Sequence, residues 1–142
     1  MMEFGVREAG ARYTQRPAAY AVVFDEQCRI ACVAETEGLF LPGGGLEAGE
    51  DASQAIVREV AEECAREFEI VERLGSAIQF FVAPDAERYE LRASFFLGRF
   101  GSAIDREPEL EMAWLPAAPT SPPFFHACHR WIVGRALRSI GA

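Results

Sequence analysis

The residues best suited to chemistry are three glutamates within one short stretch, Glu59, Glu62 and Glu63. In a helix, side chains at positions i, i+3 and i+4 lie close together on one face. Like charges at this spacing repel each other, but a divalent cation between them turns the repulsion into affinity. Carboxylate oxygens without Cys or His partners suit Mg²⁺ or Mn²⁺, which also bridge to substrate phosphates. The spacing therefore predicts a metal platform.

The residues just before this acidic stretch help to decide between a site and an ordinary surface. An acidic helix in a chain of net charge −8 is often only a solvated face. Here Gly43, Gly44, Gly45 and Gly49 precede it, and glycines let the backbone turn tightly and approach a ligand. Glycines alone are weak support for a site. The register of glycines, acids and arginine is what favours one.

The helix that carries the glutamates is predicted to begin after Asp51. Asp51 can cap the helix, and Gln54 can bond back to the amide of the cap, as in a capping box. Apolar residues recur every fourth position and predict a side buried against a sheet: Ile56, Val60, Cys64 and Phe68. The glutamates then lie on a neighbouring face.

This register resembles the Nudix box, G-x5-E-x7-R-E-U-x-E-E-x-G-U with U a bulky aliphatic residue, beginning at Gly44. The matching residues after that glycine are Glu50, Arg58, Glu59, Val60, Glu62 and Glu63. The commonly associated residues are Pro42, Gly43, Glu47 and Gly49. Two positions depart, since Ala65 replaces the last glycine and Arg66 the last aliphatic residue. Without that glycine, which favours a left-handed helix end, we expect the helix to continue toward Phe68.

The resemblance implies hydrolysis of a nucleoside diphosphate linked to another group, with water attacking one phosphorus of the pyrophosphate. The implied cofactor is Mg²⁺, with Mn²⁺ as a substitute. Glu59, Glu62 and Glu63 would bind the metal directly or through water, and the carbonyl of Gly43 would add a further ligand. The number of metals and the phosphorus that is attacked stay open.

Supporting roles are implied in the same way. Arg58 would hold the catalytic glutamates in place without touching substrate, and Glu50 would pair with Arg58. Because these two residues are eight positions apart in sequence, their contact must run from the loop to the helix. Gly44 would support the turn.

The general base has two implied sources. One is Glu59, and the other is a glutamate from a loop well downstream of the box. That loop offers Glu107, Glu109 and Glu111. We expect Glu111, just ahead of Trp114, to act as the base.

Composition limits the class of protein and its partners. The 142 residues, half of them hydrophobic, predict one domain over residues 1–142, with residues 1–17 as an extended lead-in. An excess of 22 acids over 14 bases argues against nucleic acid as a partner.

No apolar run reaches the roughly 20 residues that a membrane span needs, and residues 1–16 lack a signal-peptide core. We therefore expect a cytoplasmic protein with no membrane partner. Its four cysteines should be free thiols: Cys28, Cys32, Cys64 and Cys128.

The elements around the motif are predicted from apolar patterns. Residues 18–25 and 29–36 are continuous apolar runs, typical of strands buried on both faces. Further strands are predicted at residues 39–42, at 70–83 with an interruption near Gly75, at 91–98 and at 112–116. Two helices around a mixed sheet give an α/β/α sandwich, and the resemblance to the Nudix fold covers residues 18–137.

The last helix is predicted to be capped by Ser121, with Pro122 at its first position. Its buried side would consist of Phe125, Cys128, Ile132 and Ala136. His126 and His129 lie one turn apart with no third ligand nearby, so we expect a histidine pair on the helix surface.

Residues that bind the substrate stay unassigned by the sequence. Arg7, Arg12 and Arg16 are expected to be solvated, although one of them reaching a phosphate is the alternative. Aromatic residues at strand spacing are expected mainly in the core, with one reaching a nucleobase. They are Phe80, Phe81, Tyr89, Phe95, Phe96 and Phe100.

The preferred interpretation is a Mg²⁺-dependent hydrolase of a small nucleotide or diphosphate. A nucleoside triphosphate, an oxidised one included, is the lead substrate class, since the chain is a minimal single domain. Diphosphates of sugars or small alcohols stay open. The alternative is a Nudix-like domain that binds a nucleotide metabolite as a sensor without cleaving it. The sequence also leaves open whether the protein forms a homodimer.

Overall fold

A computed structural model of the chain describes residues 1–117 and 122–141. Within these residues the chain forms strands and helices in the following order. They are β1 (Met2–Phe4), β2 (Thr14–Val22), β3 (Arg29–Glu35), β4 (Gly38–Phe40), β5 (Gly43–Gly45), α1 (Ala52–Cys64), β6 (Arg66–Val82), β7 (Arg88–Ala103), β8 (Glu111–Pro116) and α2 (Ala127–Ser139).

The strands form two sheets. The larger sheet has the order β1-β6-β7-β2-β5 and is mixed, because β1 pairs with β6 and β2 pairs with β7 in parallel, whereas β6–β7 and β2–β5 are antiparallel. The smaller sheet, β4-β3-β8, is antiparallel. The mixed sheet and the two helices confirm the predicted α/β class.

Strand β2 shows how one apolar run separates two hydrophobic cores. Successive side chains of a strand point to opposite faces. Ala18, Tyr20 and Val22 pack in the cluster that contains the buried side of α2. Ala19 and Ala21 pack in the cluster that contains the buried side of α1. A strand covered on both faces explains why its sequence is continuously apolar.

Helix α1 begins as predicted but ends earlier. Asp51 accepts from Gln54 N, and Gln54 accepts from Asp51 N, which completes the capping box. The expected continuation toward Phe68 is wrong, because Ala65 itself adopts the left-handed conformation at φ 54 and ψ 42. The chain enters β6 directly after it, and the Ala65 carbonyl accepts from Ile104 N at 2.8 Å. Pairing with the end of β7 thus imposes the turn that glycine would favour.

Helix α2 begins at Ala127, five residues later than predicted. Pro122 is not helical, and Ser121 lies outside the described residues. Phe125 N donates to Leu39 O at 2.9 Å, so the backbone before α2 is bonded to β4 and cannot start a helix there. Cys128, Ile132 and Ala136 are buried as expected, whereas Phe125 is 39% exposed.

The remaining differences concern strand ends and the lead-in. Strand β2 begins at Thr14, and part of the lead-in forms β1 against β6. Strand β6 continues past Gly75, with a register shift where an interruption was expected. The four cysteines are free, as predicted. In the described ranges, no helix has the length and apolarity that crossing a bilayer requires.

Candidate active site

A cleft of about 360 Å³ opens where the glycine strand β5 meets α1, the end of β3 and the start of α2. Its polar end contains the glycines and two glutamates of α1, and its other end is mainly aromatic. The cleft is lined by Arg16, Tyr20, Glu35, Glu37, Phe40, Gly43, Gly44, Gly45, Glu59, Glu63, Phe81, Ala83, Pro84, Leu91, Phe125 and His126.

Glu63 is the buried acid of this cleft, with 7% of its surface exposed. Its Oε1 accepts from the Gly43 amide at 2.9 Å, so helix α1 and strand β5 meet at this carboxyl group. Burial raises the pKa of Glu63 to about 8, and the nearby Glu59 carboxylate adds to the rise. A carboxylate in such a position gains from a positive charge beside it.

Glu59 lies half-buried beside the glycine strand. Burial raises its pKa, although the Arg58 guanidinium beside it, at 3.1 Å from Oε1, acts in the opposite direction. A Cβ placed on Gly44 would come within 2.9 Å of Glu59 Oε1. Gly43 has φ 146, and a Cβ there would overlap the Ala19 carbonyl oxygen. The absence of side chains in β5 therefore makes room for the carboxyl group of Glu59 and for pairing with β2.

Arg58 organises the acids around it. Its Nε and Nη2 donate to the two oxygens of Glu50 at 2.7 and 2.9 Å, which is the predicted contact from the loop to the helix. Nη2 also donates to Gly45 O at 3.0 Å. The side-chain hydrogen bond from Arg58 lowers the pKa of Glu50 to about 2. The guanidinium thus fixes the loop, the glycine strand and the helix relative to each other.

Glu62 is held differently from the other two glutamates of the motif. Its Oε1 accepts from Arg58 Nη1 at 2.8 Å, and the residue is not part of the cleft lining. In residues 1–117 and 122–141, no three His, Cys, Asp or Glu side chains are arranged as a metal site. Glu59 and Glu63 face the cleft, so Glu62 would have to turn away from Arg58 to join them. The donor set, oxygen only and partly desolvated, fits a hard divalent cation.

The downstream loop lies against the end of α1. Glu109 N donates to Glu62 O at 3.0 Å, and the Glu109 carboxylate is close enough to raise the pKa of both Glu59 and Glu63. Glu111 is exposed at the start of β8, where its backbone pairs with Ala34. The role of Glu111 as a base stays a prediction, and Glu109 is a loop glutamate whose charge acts on Glu59 and Glu63.

The histidines of α2 correct another expectation, since both are buried and not on the helix surface. His126 is 3% exposed and His129 is fully buried. His129 Nδ1 accepts from Leu41 N at 3.2 Å. Burial lowers the pKa of His126 to about 4 and that of His129 well below its ordinary value, so both rings are neutral near pH 7. The start of α2 packs beneath β4, with Phe40 against both rings.

Several cleft residues were not singled out by the sequence. Glu35 is the last residue of β3 and Glu37 lies in the turn after it, and neither belongs to a motif. Phe125 was expected to be buried. Arg16 carried a usable signal, because the period of two in β2 places it on the same face as Ala18 and Tyr20.

The sequence of the chain is similar to known proteins. Residues 14–130 match the family model described as NUDIX domain. A segment of 79 residues is 38% identical to a curated Mycobacterium tuberculosis (strain CDC 1551 / Oshkosh) protein that bears the name mutator protein MutT4. The match covers 54% of this chain and 32% of that protein, so the chain spans about a third of the relative's length.

Solved structures share the fold at low identity. The MutT protein from Methanosarcina mazei Go1 superposes with a TM-score of 0.68 at 20% identity, over 94% of this chain and all of that one. An ADP-ribose pyrophosphatase from Streptococcus suis 89-1591 gives a TM-score of 0.64 at 21% identity, over 88% and 93% of the two chains. The family model spans well over half of the sequence. The chain therefore belongs to the NUDIX domain family.

Proposed function

We propose that the protein is a metal-dependent hydrolase that cleaves the pyrophosphate bond of a nucleoside diphosphate linked to another group. The lead substrate class is a nucleoside triphosphate, an oxidised one included, giving a monophosphate and pyrophosphate. The observation that supports this most directly is the pair Glu59 and Glu63, which face one cleft at the glycine strand. Two carboxyl groups with raised pKa at one end of the cleft favour a cation and its phosphate ligand.

The proposed metal ligands are Glu59, Glu63 and the carbonyl of Gly43, with Glu62 joining after it leaves Arg58. The proposed cation is Mg²⁺, with Mn²⁺ as a substitute. When bound, such a cation neutralises phosphate charge and lowers the pKa of a water molecule. The protein itself mainly positions the reacting groups, and Arg58 does so by holding Glu50, Gly45 O and Glu62.

The base that accepts the proton of the attacking water is proposed among Glu59, Glu109 and Glu111. Glu109 gains support from the loop contact, because its backbone is bonded to α1 and its charge acts on Glu59 and Glu63. Glu111 is exposed at the start of β8, where its backbone pairs with Ala34 of β3. We therefore favour Glu109 for this role.

The aromatic end of the cleft supports a substrate with a planar group. Phe81 and Phe125 lie 6.0 Å apart at 88°, and both contact the ring of His126. Because these rings already touch, a nucleobase would stack on the exposed face of Phe125 and not between rings. This arrangement favours a nucleotide over inorganic pyrophosphate.

The test is a panel of substrates incubated with Mg²⁺ and, separately, with Mn²⁺, with the products resolved by chromatography. The panel contains normal and oxidised nucleoside triphosphates, ADP-ribose and nucleoside diphosphate sugars. We expect a triphosphate to yield a monophosphate and pyrophosphate, and Glu63→Gln to abolish turnover. The exposed Glu72→Gln is the matched control. No broken pyrophosphate bond with either metal would overturn the proposal, and tight binding without cleavage would support the sensor alternative.

A further inference from the structure

Arg16 occupies a defined position in the cleft, although its side chain is exposed. A Cβ built on Gly45 would lie 3.6 Å from Arg16 Nε and 3.9 Å from Nη2, so the guanidinium lies directly beside the glycine strand. On its other side, Cζ lies 5.5 Å from the centre of the Tyr89 ring. A cation stacked on an aromatic face keeps its orientation. The head of Arg16 is therefore positioned between β5 and β7.

The charge around Arg16 is unusual. Among the described residues that line the cleft, four are glutamates, and Arg16 supplies the positively charged side chain. Its field acts on both Glu35 and His126, so it lies near the aromatic end as well as the glycines. Yet in residues 1–117 and 122–141 no carboxylate oxygen comes within 4.0 Å of its nitrogen atoms. The donors of this guanidinium are thus free to bind a ligand.

We propose that Arg16 binds a phosphate group of the substrate, between the acids of α1 and the aromatic end of the cleft. The planar fork of a guanidinium matches two oxygens of a phosphate. The inference rests on the proposed function, since it assigns a substrate contact within the same cleft. Tyr89 is a positioning residue, because it acts on the ligand through Arg16.

The other arginines of the N-terminal segment do not share this position. Arg7 lies over the rings of Tyr13 and Phe80, and neither Arg7 nor Arg12 is part of the cleft lining. Arg12 is exposed. Arg12→Ala is therefore a matched control for Arg16→Ala, with the same change of charge in the same segment.

The consequence for substrate choice is a requirement for at least two phosphates. One phosphate lies at the acidic end with the cation, and Arg16 holds its neighbour. A nucleoside monophosphate supplies one of these groups, so Arg16 selects di- and triphosphates whatever their base.

The first test is steady-state kinetics of wild type, Arg16→Ala, Arg16→Lys and Arg12→Ala on the triphosphate that the wild type cleaves best. We expect KM to rise about ten- to a hundredfold in Arg16→Ala, as for the loss of hydrogen bonds to a charged group, with a smaller change in kcat. Arg16→Lys should recover part of the loss because it keeps the charge without the fork. Arg12→Ala should resemble the wild type.

The second test measures binding without turnover. Calorimetry with pyrophosphate and Mg²⁺ should show the same fold-loss of affinity in Arg16→Ala and none in Arg12→Ala. Unchanged KM together with unchanged pyrophosphate affinity would overturn the inference. So would a variant that binds Mg²⁺ alone more tightly while KM stays constant, because Arg16 would then only balance the glutamates. If the wild type cleaves no nucleotide but binds pyrophosphate, and Arg16→Ala loses that binding, the inference stands and the proposed hydrolysis fails.

Discussion

The Arg58 guanidinium donates to both carboxylate oxygens of Glu50, at 2.7 Å through Nε and 2.9 Å through Nη2. This bidentate contact joins the loop after β5 to helix α1. The remaining Nη1 donates to Glu62 at 2.8 Å. One side chain thus sets the distance between the glycine strand and the acids of the helix.

We expect Arg58→Lys to lower kcat by about ten- to a hundredfold, because a single ammonium group cannot bond both oxygens of Glu50 and also reach Glu62. Steady-state kinetics and a thermal melt would measure the effect. Arg99→Lys is the control, since Arg99 makes an exposed contact of 3.3 Å with Glu69. A kcat equal to that of the wild type would show that the positioning by Arg58 is dispensable.

Gly44→Ala should reduce turnover while the fold is retained. The new Cβ would lie 2.9 Å from Glu59 Oε1, so the carboxylate must move away from its position beside the cleft. Activity assays and circular dichroism would separate the two effects. Gly134→Ala is a suitable control, because a Cβ there meets Arg138 Nη1 at an ordinary 3.7 Å. Full activity of Gly44→Ala would contradict the assigned position of Glu59.

Ala65→Gly should stabilise the protein by about 0.5–1 kcal/mol. The left-handed conformation costs an L-residue about 1–2 kcal/mol, and glycine avoids this cost but loses roughly 0.5–1 kcal/mol through the greater freedom of the unfolded chain. Urea unfolding would measure the difference. Ala61→Gly, inside α1, should destabilise by about 1 kcal/mol. Equal destabilisation by both substitutions would show that Ala65 carries no strain.

The stability of the metal-free protein should decline as the pH rises from about 6.5 toward 8. In this range the buried histidines, whose pKa is lowered in the folded state, no longer take up protons on unfolding to a large extent. Burial raises the pKa of Glu63 in the folded state to about 8 from an ordinary value of 4.5. The folded state therefore binds the proton more tightly, and this contribution is complete below the unfolded pKa and is lost as pH rises through the folded one. Melting curves in a chelator at several pH values would show the slope. Glu63→Gln should flatten it, and a slope unchanged by that substitution would contradict the assignment.

The loop base can be identified by comparing Glu109→Gln with Glu111→Gln. We expect Glu109→Gln to lower kcat about a hundredfold or more, the usual size of general-base catalysis, and Glu111→Gln to have little effect. A larger loss in Glu111→Gln would instead favour the sequence-based expectation. Normal activity of both variants would indicate that Glu59 is the general base.

Local sequence information was sufficient for some of these features. The capping box of Asp51 and Gln54 lies within four consecutive residues, so its geometry follows from the sequence itself. The two-sided burial of β2 follows from its continuous apolar run. The contact between Arg58 and Glu50 followed from the resemblance to a known motif, not from local propensity.

Other features depend on contacts between distant segments. His126 is buried because the backbone before α2 is hydrogen-bonded to β4. No local sequence pattern predicts that pairing. Ala65 turns left-handed because β6 begins at the next residue and pairs with β7. Glu35 reaches the cleft through the antiparallel pairing of β3 with β4. Tertiary pairing overrides local preference at each of these positions.

The shared strand β2 links substrate selection to the folding of the core. A slip of one residue in its register would exchange the two hydrophobic cores and turn Arg16 away from the cleft. Tyr20 on one face and Ala21 on the other both oppose such a slip, because each is buried in a different cluster. The position of the proposed phosphate contact therefore depends on the packing of the two hydrophobic cores. Changes in the surface loops can alter the preferred nucleobase of the substrate without moving the contact between Arg16 and the phosphate.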